Sequence, residues 1–200
     1  MLLYFAGSMI MYEPTEECIT DFITDGILKK LPVISDNPGF IRSASLLREP
    51  CPDKEICRKE LVADYRRLFS PDGPALAIPR KSAFPAEASS LTPDAGDFYD
   101  SYGWRSVPRG RVPDDHLGIE LLFLTKLIDK YLQLDDEPCC CEMKKEIQRF
   151  IGDHLTGWLP EWNKRMQKHA RSQYYKGISS MVLACTEDLY KIFDSQNKLL

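Results

Sequence analysis

Residues 114–132 read DDHLGIELLFLTKLIDKYL. Leu117, Leu121, Leu124, Ile128 and Tyr131 recur at three- and four-residue intervals, with Leu127 and Leu132 beside them. That spacing draws a single apolar stripe along a helix. Asp114 and Asp115 open the segment, where carboxylates satisfy free backbone N–H groups and are favoured by the helix dipole. A helix so strongly patterned must bury its stripe against other elements, and the rest of the chain is read outward from it.

Toward the N-terminus, proline and glycine cut the chain into helix-sized pieces. The pattern predicts a mostly apolar helix over 2–12, ended by Pro14. Thr15 reads as the cap of a second, whose Cys18, Ile19, Phe22, Ile23, Ile27 and Leu28 recur at helical spacing up to Pro32. A short helix is expected from 38 to about 47 after Asn37. Another is expected over 53–69, its inner face formed by Ile56, Leu61, Tyr65, Leu68 and Phe69. The turn residues of 70–74 end it. Residues 74–93 read as loop, 94–102 as a short helix, and 103–113 as a second, basic loop containing Trp104. Toward the C-terminus, Asp135-Asp136-Glu137-Pro138 reads as a break, followed by a helix over about 142–155. A last long stretch over 160–193 carries a joint near Ser172 and repeats apolar residues at Tyr174, Ile178, Met181, Cys185, Leu189 and Ile192.

No strand alternation stands outside the loops, and no internal repeat occurs. The expectation is all-α: one irregular helical bundle of about eight helices, a single domain over 1–200. Its middle, 70–113, is too long for an ordinary connection and is therefore either disordered or functional.

The 200 residues are 44% apolar, and 30 acidic against 26 basic residues leave a net charge of -4. This is the composition of a globular protein, and it argues against a dedicated nucleic-acid binder. Residues 1–11 are nearly uncharged, but they lack a basic leader and fall short of the roughly 20 residues a membrane span requires. They read as a buried first helix, with no stable membrane insertion and a cytoplasmic location expected. Seven cysteines include three in a row, Cys139, Cys140 and Cys141, and no Cys-x-x-Cys pair. Reduced, partly buried thiols are expected, with a redox-sensitive or metal-touching cluster as the alternative.

Groups for catalysis are scarce. There is no phosphate loop, dinucleotide fingerprint or serine elbow, so neither a catalytic centre nor a bound cofactor is expected. His116 and Glu120 lie four apart on one helical face, with His154 as a possible neighbour, yet the zinc pattern His-Glu-x-x-His is absent. Asp114, Asp115 and His116 admit two readings: a helix cap, or carboxylates that accept a partner's guanidinium groups. Phe123 reads as core. Trp104, in a glycine- and arginine-rich loop, reads either as packing or as an aromatic anchor for a peptide. Arg105, Arg109 and Arg111 form a solvated basic loop or an anion patch.

The segment 112–124, with Pro113, Asp114, Asp115, His116, Leu117, Glu120, Leu121 and Phe123, resembles the Pro-Asp-His-Leu…Glu-Leu…Phe motif of the TorD/DmsD family. Phe150, His154-Leu155, Trp158-Leu159-Pro160, Trp162, Ala170 and Tyr174-Tyr175 resemble its second block. Tyr65 to Phe69, followed by Pro71, Gly73, Pro74 and Pro79, is similar to its helix end and proline-rich loop. The likeness spans nearly the whole chain in order.

The resemblance implies a non-enzymatic cytoplasmic chaperone. Such a chaperone binds the twin-arginine signal peptide of an apo-molybdopterin oxidoreductase, and in some cases its body, and delays export until the cofactor is inserted. Asp115 and His116, supported by Asp114, Glu120, Trp104 and Arg105, are then the expected peptide-binding residues. A NarJ-like assembly chaperone for a non-exported subunit is the alternative, and a thiol-dependent enzyme a lesser one. Long hinge loops allow a monomer or a domain-swapped homodimer.

Overall fold

The structure, a computed structural model, describes residues 2–19, 35–48, 53–70, 72–84, 94–105 and 112–194. It is all-α. The helices are α1 (Leu2–Met11), α2 (Glu16–Ile19), α3 (Pro38–Leu47), α4 (Lys54–Phe69), α5 (Ala95–Ser101), α6 (Leu117–Tyr131), α7 (Glu137–Ile151), α8 (Leu159–His169) and α9 (Gln173–Ile192). A 3-10 turn, Lys81–Ala83, and a π-turn, Gly152–Thr156, are the other regular elements among the described residues. The helix expected from Thr15 to Pro32 is seen only as α2, its remainder lying outside the described residues. No helix among the described residues is long and apolar enough to cross a membrane.

Several starts follow from local capping. Asn37, Asp53 and Asp94 each accept a backbone N–H from the first turn of α3, α4 and α5 with their side chains. At α7 the sequence expectation is corrected. Asp136 caps the helix through the Cys139 N–H, so Pro138 sits in its first turn, where a missing N–H costs nothing. Cys139 to Cys141 are therefore helical, not part of a junction, and Cys139 and Cys141 are exposed. Cys139, Cys140 and Cys141 are free thiols, whereas Cys57 is disulfide-bonded, contrary to the expectation of reduced cysteines.

The chain divides into two compact units. The first comprises Met1–Met11, Pro79–Pro160 and Thr186–Leu200. Here α1 lies against α6, and their backbones approach at a pair of glycines. A Cβ added to Gly118 would stand 3.0 Å from the Gly7 carbonyl oxygen and 2.9 Å from the Met11 Cε. A Cβ on Gly7 would meet the Gly118 carbonyl at 3.2 Å. Ala6, Ile10, Leu117, Ile119, Leu121 and Leu124 are buried. Each large apolar side chain so buried contributes about 1.5–3 kcal/mol. An aromatic cluster of Phe98, Tyr99, Phe123 and Phe150, with ring centroids 4.7–6.3 Å apart, joins α5, α6 and α7. The far end of the α6 stripe is not buried: Leu132 is 72% exposed.

The second unit comprises Tyr12–Ile78 and Glu161–Cys185. Its buried Asp64 pairs with Arg67 and accepts the N–H groups of Arg171 and Ser172 at 2.8 and 2.7 Å. A fully occupied carboxylate thus stops α8 and starts α9, at the joint expected near Ser172. Trp162 donates its indole N–H to the Ala77 carbonyl at 3.1 Å, tying α8 to the segment after α4. On α4 the expected inner face holds at Leu61, Leu68 and Phe69 but fails at Ile56, which is 55% exposed.

Alanine at a helical glycine ordinarily stabilises by about 0.5–1 kcal/mol. Gly118→Ala should instead destabilise by about 1–3 kcal/mol, because backbone stands where its Cβ must go. Gly157→Ala, whose Cβ meets nothing within 4 Å, should be neutral or stabilising. Chemical denaturation of the two variants checks the contrast.

Candidate functional site

The cap of α6 is not an aspartate. Its N-cap is His116, whose Nδ1 accepts the Gly118 N–H at 3.1 Å. The ring proton then resides on Nε2. Burial lowers the His116 pKa to about 4, with Arg80 adding to the effect and Asp115 opposing it, so the ring is neutral at pH 7.

The motif's polar groups turn toward residues 79–82. Leu117 donates its N–H to the Pro79 carbonyl at 2.8 Å, and Lys81 donates its own to the Asp115 carbonyl at 3.1 Å. These bonds accompany a single antiparallel bridge between Arg80 and His116. The Asp115 carboxylate spans the same segment: Oδ1 accepts from Arg80 Nε at 3.1 Å and Oδ2 from the Ser82 N–H at 3.0 Å. Burial raises the Asp115 carboxyl, but the hydrogen bonds from Ser82 and Arg80 outweigh it and hold the group below its ordinary value. Asp114 supports the junction through its carbonyl, which accepts the Tyr99 hydroxyl at 3.0 Å.

Beneath the junction lies a buried polar layer. Glu120 is wholly buried, and neither carboxyl oxygen has a hydrogen-bond partner among the described residues. It does not support the His116 ring, as the helical spacing suggested. Burial drives its pKa well upward, the Asp115 charge adds to this, and Lys81 opposes it. Burial therefore favours the protonated carboxyl. His154 packs its ring against Phe150 and Phe98 at 4.9 and 5.7 Å, and its buried Nε2 also lacks a partner among the described residues. Burial, then Lys81, lowers its pKa to about 4.

His154 lies in the π-turn, where three successive carbonyls are taken by side chains. Gly152 accepts from the Thr156 hydroxyl, Asp153 from Lys81 Nζ at 2.7 Å, and His154 from the Trp158 indole at 2.6 Å. Single π-turns within helices are frequent at functional sites. A polar cleft of about 440 Å³ opens beside the turn, lined by Lys145, Arg149, Asp153 and Tyr190 among others, and its charges are of both signs.

Trp104 packs on Tyr99 and Phe123 with ring centroids at 5.1 and 5.2 Å, and its N–H is bonded to the Tyr99 carbonyl. Gly103, at φ +61°, makes the left-handed turn that ends α5 and brings Trp104 back. Arg105 is exposed beyond it, while Arg109 and Arg111 lie outside the described residues. Asp114, Asp115, His116 and Glu120 thus share one junction, and Trp104 joins the aromatic cluster on the same helix. Arg80, Lys81 and Ser82 were not foreseen as site residues. Their signal was a basic pair within an otherwise uncharged run of the proline-rich stretch. No group of three or more His, Cys, Asp or Glu able to hold a metal occurs among the described residues.

The raised Glu120 pKa gives a signed expectation. Its folded pKa is raised, so its contribution to stability is complete below the unfolded value of about 4.3 and is lost as pH rises through the folded one. The two histidines act oppositely: their contribution is present above about 6.5 and is lost as pH falls toward about 4. The histidines are common to both proteins and cancel in a comparison of Glu120→Gln with wild type. Thermal melting from about pH 4.3 upward should show the wild type losing more stability than Glu120→Gln as pH rises.

A model of the family described as the nitrate reductase delta subunit matches residues 38–164, which include the whole junction and the π-turn. Among curated proteins the chain is similar to the "Chaperone protein TorD" of Aliivibrio salmonicida, at 23% identity over 93% of this chain and 90% of that protein. It is also 23% identical to the TorD of Photobacterium profundum, over 92% of this chain and 88% of that one. A third TorD, from Actinobacillus pleuropneumoniae serotype 3, is 30% identical over 63% of this chain and 60% of that protein. With the match covering well over half of its length, and a sequence likeness to TorD proteins over nine-tenths of the chain, the chain belongs to the nitrate reductase delta subunit family.

Proposed function

We propose that the protein is a non-enzymatic, cytoplasmic redox-enzyme maturation chaperone. Its client is the twin-arginine signal peptide of an apo-molybdoenzyme subunit, received at the Asp115 junction and held back from export until the cofactor is inserted. The observation that carries this reading is the state of Asp115. Its carboxylate is fixed by a main-chain N–H on one oxygen and holds a guanidinium on the other. A carboxylate so oriented suits arginine, whose planar fork gains from fixed geometry where the ammonium of lysine does not.

The surroundings support the same reading. Leu117 and Leu121 are fully buried, so the start of α6 is held by packing and not by the ligand. A preorganised acceptor of that kind limits the entropy lost on binding. Trp104 supplies apolar surface from the aromatic cluster, and Arg105 stands exposed beside it. The similar proteins named as TorD chaperones favour a protein client. The body of the client and a domain-swapped homodimer remain within this proposal.

A second reading has its own observation: the matching family is described by a nitrate reductase subunit. That favours an assembly chaperone that grips an oxidoreductase subunit without an export signal. The two readings separate when the leading segment of the client is removed. Capture should be abolished under the first reading and preserved under the second.

The direct test is Asp115→Asn. Asparagine still accepts the Ser82 N–H and loses only a partly exposed ion pair, so the melting curve should shift by no more than about 1 kcal/mol. Binding of a synthetic twin-arginine peptide, followed by calorimetry, should weaken by about 1.5–3 kcal/mol. Wild-type binding of the same peptide should also slow with added salt, as measured by stopped flow at two ionic strengths. Unchanged binding by the variant would remove Asp115 from the site.

A further inference from the structure

We propose that Arg80 is a built-in occupant of the client site, a guanidinium of the chain's own that a client arginine must displace from Asp115. The inference rests on Asp115 being the carboxylate that receives the client.

The two oxygens of Asp115 are held in different ways. Oδ2 is bound by the Ser82 main-chain N–H, which cannot leave without moving the 3-10 turn. Oδ1 is bound by Arg80 Nε at 3.1 Å, a side chain that can leave by rotating its own torsions. The Arg80 side chain is already 40% exposed against 20% for Asp115, so its route to water is open. Its departure would not dismantle the segment. The bonds from Leu117 to Pro79, from Lys81 to the Asp115 carbonyl and from Lys81 Nζ to the Asp153 carbonyl all remain.

Exchange of one guanidinium for another also solves an electrostatic problem. A partly buried carboxylate left unpaired between clients would be costly, and Arg80 pairs with it there. A client arginine then gains from Asp115 only the excess of its own bond over the one it replaces, so part of the affinity must come from the rest of the peptide. The internal ligand divides the apparent affinity by the fraction of molecules in which Asp115 is unlatched. For an ion pair of this exposure that factor is roughly three- to tenfold.

The experiment is calorimetric titration of a synthetic twin-arginine peptide into the full chain and its variants. Arg80→Ala should bind roughly three- to tenfold more tightly than wild type, and Arg80→Lys should fall between them. Arg80→Gln, which keeps most of the stem without the charge, should match Arg80→Ala and guards against a folding defect in either variant. In an Asp115→Asn background the gain from Arg80→Ala should vanish, since the two residues then no longer compete through one oxygen. Equal or weaker binding by Arg80→Ala and Arg80→Gln, with binding still lost in Asp115→Asn, would overturn the exchange and leave the client site standing. Arg80 would then be a positioning residue for Asp115. No binding by wild type or any Arg80 variant would overturn both readings together.

Discussion

Leu117 donates its first helical N–H to the carbonyl of Pro79, and the geometry of the candidate site follows from that bond. The opening N–H groups of any helix lack partners within it and must find them elsewhere. In α6 the Gly118 N–H goes to the His116 ring and the Leu117 N–H to a residue far back in the chain. A proline-rich segment without a ladder of its own is thereby fastened across the start of the most strongly apolar helix. Once Pro79 is held, Arg80 and Ser82 flank the Asp115 carboxylate and Lys81 reaches the π-turn. The close contact of Gly7 with Gly118 supports the same point from the opposite helix.

What was legible in the sequence was local. Asn37, Asp53 and Asp94 announce their helices because a side-chain cap bonds N–H groups two or three residues away. Pro138 misled because proline both breaks a helix and begins one, and the choice turns on whether Asp136 points its carboxylate forward. Asp115 had two plausible local roles, cap or guanidinium acceptor. Its actual partners stand 33 and 35 residues earlier, where no helical period could point. Ile56 and Leu132 show the same limit, since spacing draws a stripe but does not say how far along it a neighbour extends. The family motif located the junction without disclosing that Arg80 belongs to it.

The buried layer under the junction shows why one lysine matters more than its exposure suggests. Glu120 and His154 are buried polar groups, and burial disfavours the charged form of each. Lys81 acts on each with opposite sense, favouring the ionised form of one and disfavouring that of the other. Its ammonium donates to the Asp153 carbonyl of the π-turn. The turn that carries Lys81 and the layer beneath it therefore share one electrostatic balance.

The π-turn at Gly152–Thr156 carries an evolutionary and engineering consequence. A π-turn holds one residue more than the α-helical path it replaces. Deleting any one of its five residues would restore ordinary winding and draw the carbonyls of the turn back into i→i−4 bonds. The Trp158 indole would lose the His154 carbonyl, and the Asp153 carbonyl would turn back into the helical ladder, away from Lys81. Chain length here is thus constrained more tightly than side-chain identity. Insertions and deletions should be purged from this stretch while many point substitutions survive, which makes it a poor place to graft tags or shorten the protein.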